Sequence, residues 1–365
     1  MIHRSLYAVA ALAFVVSACA PQEAGQENVA SEGSEPAAAL VMPGESHIRN
    51  VRQLTFGGDN AEAYYSFDGT QLIYQHRATT EECDQIYVLD IATAESRMVS
   101  TGDGRTTCSY FYPTGDQIIY ASTHHHDASC PAPPDQSFGY VWPLNDTYDI
   151  FIANADGSDP RQLTDVMGYD AEATVSPKGD KVVFTSVRDG DLELYTMNLD
   201  GSDVTRLTDR VGYDGGAFFS PDGSQIVWRA QYPEEGQAKD DYLALLAEGL
   251  IRPGELEIWI MNADGSNKHQ LTNLGGANFA PYWHPSGEKI IWSSNHLDPD
   301  GREFELFMIN VDGTGLEQVT YSEGFDGFPV FSADGRHLVF GSNRNNGDTR
   351  DTNVFIAEWV DDPGM

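Results

Sequence analysis

Basic residues are scarce in this chain: 21 Lys and Arg stand against 56 Asp and Glu, a formal net charge of −35 over 365 residues. Such a balance excludes a nucleic-acid partner, because phosphate recognition needs a basic footprint. Docking on anionic lipid through a polybasic patch is excluded on the same ground. A membrane-spanning run is also lacking at the N-terminus, where the apolar stretch Leu6 to Val16 is shorter than the roughly 20 residues a bilayer requires. Cysteine is limited to Cys19, Cys83, Cys108 and Cys130, and no pair has the C-x-x-C spacing of a zinc knot. No G-x-S-x-G nucleophile elbow occurs. The acidic excess leaves two readings, colloidal solubility or a surface that draws cations and basic ligands.

What is present begins with a targeting segment. Arg4 precedes the apolar run, and the run ends in Val16-Ser17-Ala18-Cys19. This resembles the lipobox of bacterial lipoproteins, which implies cleavage after residue 18 and acylation of Cys19; an ordinary secretory signal is the alternative. Residues 19–47 contain no aromatic residue and are rich in Ala, Glu, Gly, Ser and Pro, so they are expected to form a disordered tether. A coil of that length spans on the order of 30 Å. By resemblance to sorting signals, Ala20 after the lipidated cysteine points to the periplasmic side of the outer membrane or the cell surface. An oxidising compartment permits one disulfide among Cys83, Cys108 and Cys130, with the pairing left open.

The body of the chain repeats. Ala155-Asp156-Gly157-Ser158…Leu163-Thr164 returns at Leu199-Asp200-Gly201-Ser202…Leu207-Thr208, at Ala263-Asp264-Gly265-Ser266…Leu271-Thr272 and, more loosely, at Val311-Asp312-Gly313-Thr314…Val319-Thr320. Six turns of the type Ser-Pro-Asp-Gly, beginning at Ser66, Tyr112, Ser176, Ser220, His284 and Ser332, each precede a short apolar strand. Each unit therefore reads as four antiparallel strands, with Asp-Gly supplying positive φ at both central residues of a hairpin. Four strands copied six times make an all-β, six-bladed β-propeller over residues 48–360. The sixth unit stops at Trp359 without a Leu-Thr strand, while a spare one, Ile48 to Thr55, stands at the start. The N-terminal strand is expected to complete the last blade and close the ring.

Ser-Pro-Asp-Gly, a strand, an aromatic residue and Asn-x-Asp-Gly-Ser…Leu-Thr resemble the repeats of TolB-like propellers across residues 48–360. The resemblance implies the propeller fold. A signal and linker stand where TolB carries an additional N-terminal α/β domain, so TolB's envelope role is not implied with it. Similar repeats form the lid of prolyl-oligopeptidase-like enzymes.

Candidate chemistry lies where the copies disagree. Two units carry insertions of about 20 residues, roughly Ser122 to Thr147 and Gln231 to Glu255, both between the second and third strands and hence on one face. The second is expected to hold one or two helical turns within Asp241 to Leu250. Loops entering the inner strands place Asn60, Thr106, Asp170, Asp214, Asn278 and Asp326 at one repeat position, which predicts a polar ring at the channel mouth. Two positions on, Glu62, Cys108, Glu172, Gly216, Ala280 and Phe328 face the same side by strand alternation. Asn60, Glu62, Asp170, Glu172, Asp214, Asn278 and Asp326 are thus the candidate ligand-binding set. Asp170, Asp214 and Asp326 suit a hard cation such as Ca2+. The plain alternative is that these residues satisfy donors at the turn before each inner strand. His124 and His126 are a second metal candidate set, against a solvated loop, and His76 and His296 fall on the same face. Tyr74, Tyr120, Phe184, Trp228, Trp292 and Phe340 share one position and are expected in the core between blades.

The leading functional reading is a monomeric, lipid-anchored envelope module that binds a protein, peptide or glycan, with a divalent cation as an optional component and enzymatic activity not expected. The alternative is a metal-dependent polysaccharide lyase or hydrolase with its site at the channel mouth. An acidic mouth would repel a polyuronate unless metals neutralised it.

Overall fold

The computed structural model describes residues 40–80, 82–347 and 349–363. The signal segment, Cys19 and the tether as far as residue 39 lie outside the described residues. Six four-stranded antiparallel sheets are arranged as propeller blades. Their inner strands are Asp59–Tyr65, Thr106–Phe111, Asp170–Val175, Tyr213–Phe219, Asn278–Trp283 and Asp326–Phe331. Blade 6 takes its outermost strand from the N-terminus: Ile48–Gln53 pairs with Asn353–Trp359, Ile48 opposite Trp359 and Gln53 opposite Phe355. The expected closure is therefore the observed one.

The repeated phrases have distinct mechanical roles. In the first-to-second strand turn, Asp68 Oδ1 accepts hydrogen bonds from Ser66 Oγ (2.6 Å) and Thr70 N (3.0 Å), fixing the chain reversal locally. Of the Asp-Gly pair only the glycine takes positive φ, +87° at Gly157 and +86° at Gly201, and the next left-handed residue comes two positions on, Asp159 (56°) and Asp203 (58°). The expectation for both central residues is corrected there: Gly157 N donates to Asn154 O, Asn154 N to Ser158 O, and Asp156 Oδ1 accepts from Ser158 N. That is a three-residue loop with glycine in the left-handed position. The Leu-Thr ending is a clasp. The Thr164 hydroxyl accepts from Ile150 N, as Thr208 does from Leu194 N, Thr272 from Ile258 N, Thr320 from Leu306 N and Thr55 from Val354 N, at 2.8–2.9 Å. Each ties the outer strand to the third. The six predicted core aromatics are all buried between blades.

The two insertions meet. Trp142–Pro143 from blade 2 pairs antiparallel with Leu250–Ile251 from blade 4, bridging over blade 3. The second insertion holds a helix, Gln237–Ala247, longer and earlier than the expected turns. Tyr242 on that helix buries its hydroxyl against Asp191 Oδ1 (2.5 Å) and Gly212 O (2.7 Å), rooting it in the loops of blades 3 and 4. The first insertion is tied on its other side by a Cys83–Cys130 disulfide to the blade 1 loop, leaving Cys108 free.

Residues 40–47 depart from the expected tether. Leu40 and Val41 pack on the core of blades 5 and 6, and Glu45 is buried in an ion pair with Arg344 (2.9 Å).

Candidate functional site

Every inner strand slips register near its middle, for example between Ala61 and Tyr64 and between Ala171 and Thr174. At each slip one residue takes positive φ: Glu62 (54°), Cys108 (51°), Glu172 (56°), Gly216 (59°), Ala280 (50°) and Phe328 (53°). For the five that are not glycine this conformation costs of order 1–3 kcal/mol each. A bulge re-aims the side chain it carries, and all six residues line the central channel. The sequence places these six together, but the bulge, rather than strand alternation, turns them inward.

Two of the six acquire defined electrostatics. Glu172 Oε2 accepts from Thr185 Oγ1 (2.8 Å) and Gly216 N (2.9 Å), and its Oε1 takes a short charge-assisted bond from Arg229. Arg229 Nε donates to Tyr213 Oη (2.9 Å), and the guanidinium lies over the Trp142 and Tyr213 rings. Glycines make room for this cluster. A Cβ at Gly216 would collide with the Arg229 guanidinium, and one at Gly215 with Tyr213 Oη and Glu172 Oε2. Glu62 stands in the same channel with the Cys108 thiol beside it. Burial, then the Glu172 charge, raises its carboxyl to about 7, with Arg229 opposing the shift. Burial likewise pushes the Cys108 thiol well up, so it is a neutral lining group.

Above the bulges the channel widens into a chamber of about 310 Å3. Glu62, Gln75, Arg105, Thr107, Glu172 and Arg229 supply its polar wall, and Tyr169, Tyr213, Phe279 and Phe328 its aromatic one. The paired insertions form the roof through Pro131, Trp142, Leu144 and Ile251. Below, Tyr64, Tyr110, Phe218 and Tyr282 fill the channel, with ring centroids 5.5 Å apart for Tyr64–Tyr110, 5.4 Å for Tyr64–Phe218 and 5.2 Å for Phe218–Tyr282. The chamber is blind at that plug.

The predicted polar ring is used differently. Its six members are buried, each bonded within or beside its own blade. Asp170 takes both oxygens to Arg188 (2.9–3.0 Å), and Asp214 Oδ1 accepts from Trp228 Nε1 and Tyr232 Oη (2.6 Å each). Asp326 pairs with Arg344 (2.7 Å), Thr106 with Ser122 (2.9 Å), Asn60 with His76 (2.8 Å) and Asn278 with Ser294 (2.7 Å). They are latches between the inner strand and the strand or loop that follows. The histidines stay apart as well. His124 bonds Ser122 Oγ (2.8 Å) and packs with His125 on Phe151, His126 is exposed, and His296 rests on Phe307.

Among the described residues no group of three or more His, Cys, Asp or Glu side chains is arranged to hold a metal ion. The chamber donors do not fit a hard cation either: Glu172 is saturated, the Glu62 carboxyl is raised to about 7 and so gives up its proton less readily than an ordinary carboxylate, and Arg229 already supplies the positive charge between them. Arg229 escapes a reading based on acidic repeats. Its signal is positional, since the residue after each core aromatic is Gln75, Ala121, Thr185, Arg229, Ser293 or Gly341, and only one of these is charged.

Residues 131–241 match the TolB beta propeller domain family. No curated protein matches the chain. Among solved structures, a putative TolB from Agrobacterium tumefaciens is similar at 20% identity and a TM-score of 0.54, over 83% of this chain and 91% of that one. TolB from Acinetobacter baumannii is similar at 17% identity and a TM-score of 0.55, over 75% of this chain and 57% of that one. An oligogalacturonate lyase from Vibrio parahaemolyticus is similar at 13% identity and a TM-score of 0.52, over 84% and 79%. At these identities the likeness is one of fold.

Proposed function

We propose that this TolB-like propeller is a lipid-anchored binding module of the cell envelope, which captures the end of a protein, peptide or glycan chain in its roofed chamber. The chamber itself carries the reading. It is blind, about 310 Å3 in volume and walled by aromatic rings with a few fixed polar groups, as small-ligand sites commonly are. A blind chamber of this size suits a terminal unit: rings offer stacking faces, Gln75 and Thr107 offer hydrogen bonds, and the Arg229–Glu172 pair is already neutralised. The anchor at Cys19 and a place on the periplasmic side of the outer membrane or at the cell surface belong to the same proposal. They rest on the N-terminal sequence.

A second reading, a glycan-cleaving enzyme using the same chamber, is favoured by one observation. Glu62, raised to about 7, suits proton transfer near neutral pH. Titration calorimetry and thermal melting against a panel of peptides and oligosaccharides test both. The binding reading expects a saturable ligand that raises the melting temperature, is recovered intact, and is lost in Thr107→Trp, which puts an indole into the chamber from its wall. Product formation that stops in Glu62→Gln would transfer the case to the enzyme.

A further inference from the structure

The opposite end of the channel opens into a second concavity. There the inner strands end in a funnel of about 250 Å3 lined by Tyr65, Phe67, Tyr110, Phe219, Tyr282 and Trp283, with Phe67, Phe219 and Tyr282 partly exposed. Tyr65 is 9% exposed, and its hydroxyl has no hydrogen-bond partner among the described residues. Around the funnel run the six first-to-second strand turns, and each blade contributes one exposed acid: Asp68, Asp116, Asp180, Asp222, Glu288 and Asp334. Against these six stand Lys178, whose ammonium is held by Gly223 O (3.0 Å), Arg336 beside Asp334, and Lys181 and Lys289, whose ammonium groups turn to Asp203 (3.1 Å) and Glu317 (4.0 Å) at the outer strands. Serine hydroxyls bonded to Asp68, Asp222 and Asp334 keep those carboxylates ionised, Asp222 down to about 2. Burial, and after it the Asp334 charge, raises the Tyr65 phenol, with Arg52 opposing.

Aromatic faces inside a ring of carboxylates attract a cation, through the ring quadrupole at short range and through the rim charge at long range. We propose that this face binds a basic segment of a partner protein, one Arg or Lys side chain entering the funnel and its neighbours meeting the rim. The inference is independent of the roofed chamber, from which the aromatic plug separates it.

The test is fluorescence anisotropy of a labelled Gly-Arg-Gly-Arg-Gly-Arg-Gly amide with the purified full chain. A citrulline analogue of the same shape and spermidine are the comparison probes. Saturable binding is expected at low salt, weakened roughly ten-fold at about 0.5 M salt, with none for the citrulline peptide. Exposed rim variants (Asp68→Asn, Asp222→Asn and Asp334→Asn together) should weaken it roughly ten-fold, and Phe219→Ser should weaken it while the rim is intact. Binding that survives both sets, a citrulline peptide that binds equally, or spermidine competing as strongly as the peptide would overturn the assignment. Thr107→Trp, which obstructs the chamber and lies outside the funnel, must leave this binding unchanged. Loss of binding there would place the peptide in the chamber, a failure distinct from failure of the chamber to bind any ligand.

Discussion

Glu62 is held in the channel on a bulge that leaves its carboxyl poorly solvated and near the Glu172 charge. Its carboxyl is raised from 4.5 to about 7, so between those values the folded chain holds a proton that the unfolded chain has released. Stability on this account falls as pH rises from about 4.5 to about 7 and stays reduced above. The loss is at most about 3 kcal/mol, and less where solvent reaches the group. Glu62→Gln should therefore leave stability unchanged near pH 4 and raise it by about 1–3 kcal/mol at pH 8. Urea unfolding at the two pH values reads the difference, and an equal effect at both would refute it. Glu305, raised by burial and then by the Asp326 charge, contributes a loss of the same sign that persists in both proteins. At this scale Glu62 and Glu172 were legible, because a repeat alignment displays positions where copies differ. The latching of Asp170 or Asp214 was not, since an alignment cannot distinguish a carboxylate facing the channel from one bonded to the strand behind it.

The roof is built from two elements that have no stability alone: a two-residue strand from each insertion, joined over blade 3. Its purchase comes from the Tyr242 hydroxyl under the helix and from the Cys83–Cys130 bond to blade 1. Replacing both Cys83 and Cys130 by Ser should leave the blades folded while loosening the loop around Cys130. Limited proteolysis there should quicken roughly ten-fold with the far-ultraviolet circular dichroism spectrum unchanged. Cleavage at the parental rate would show that the strand pair suffices. Interval lengths revealed both insertions and their common face. Their pairing was hidden because two-residue strands carry no periodicity, and the disulfide because spacing alone does not choose among three cysteines.

For the whole molecule, closure is the decisive feature, and its reinforcement reaches further back in the chain than the closing strand. Arg344 and both its carboxylate partners, Glu45 and Asp326, are fully buried, so the segment before the first strand is locked to the last blade. Glu45→Ala removes one charge of that triad, shifts the local balance and frees Leu40 and Val41; a loss of about 3 kcal/mol is expected from chemical denaturation. A change below about 0.5 kcal/mol would mean that the ring closes without the clamp. The propeller and its closing strand were readable because a missing strand and a spare one matched. The clamp was not, since a composition rich in Ala, Glu and Pro gives no sign of one buried glutamate. The plug of Tyr64, Tyr110, Phe218 and Tyr282 has a kinetic consequence. With no exit through the floor, whatever enters the chamber must leave by the route it came. Entry and release then share one mouth beside the paired insertions, so a ligand held there also bars the next from entering.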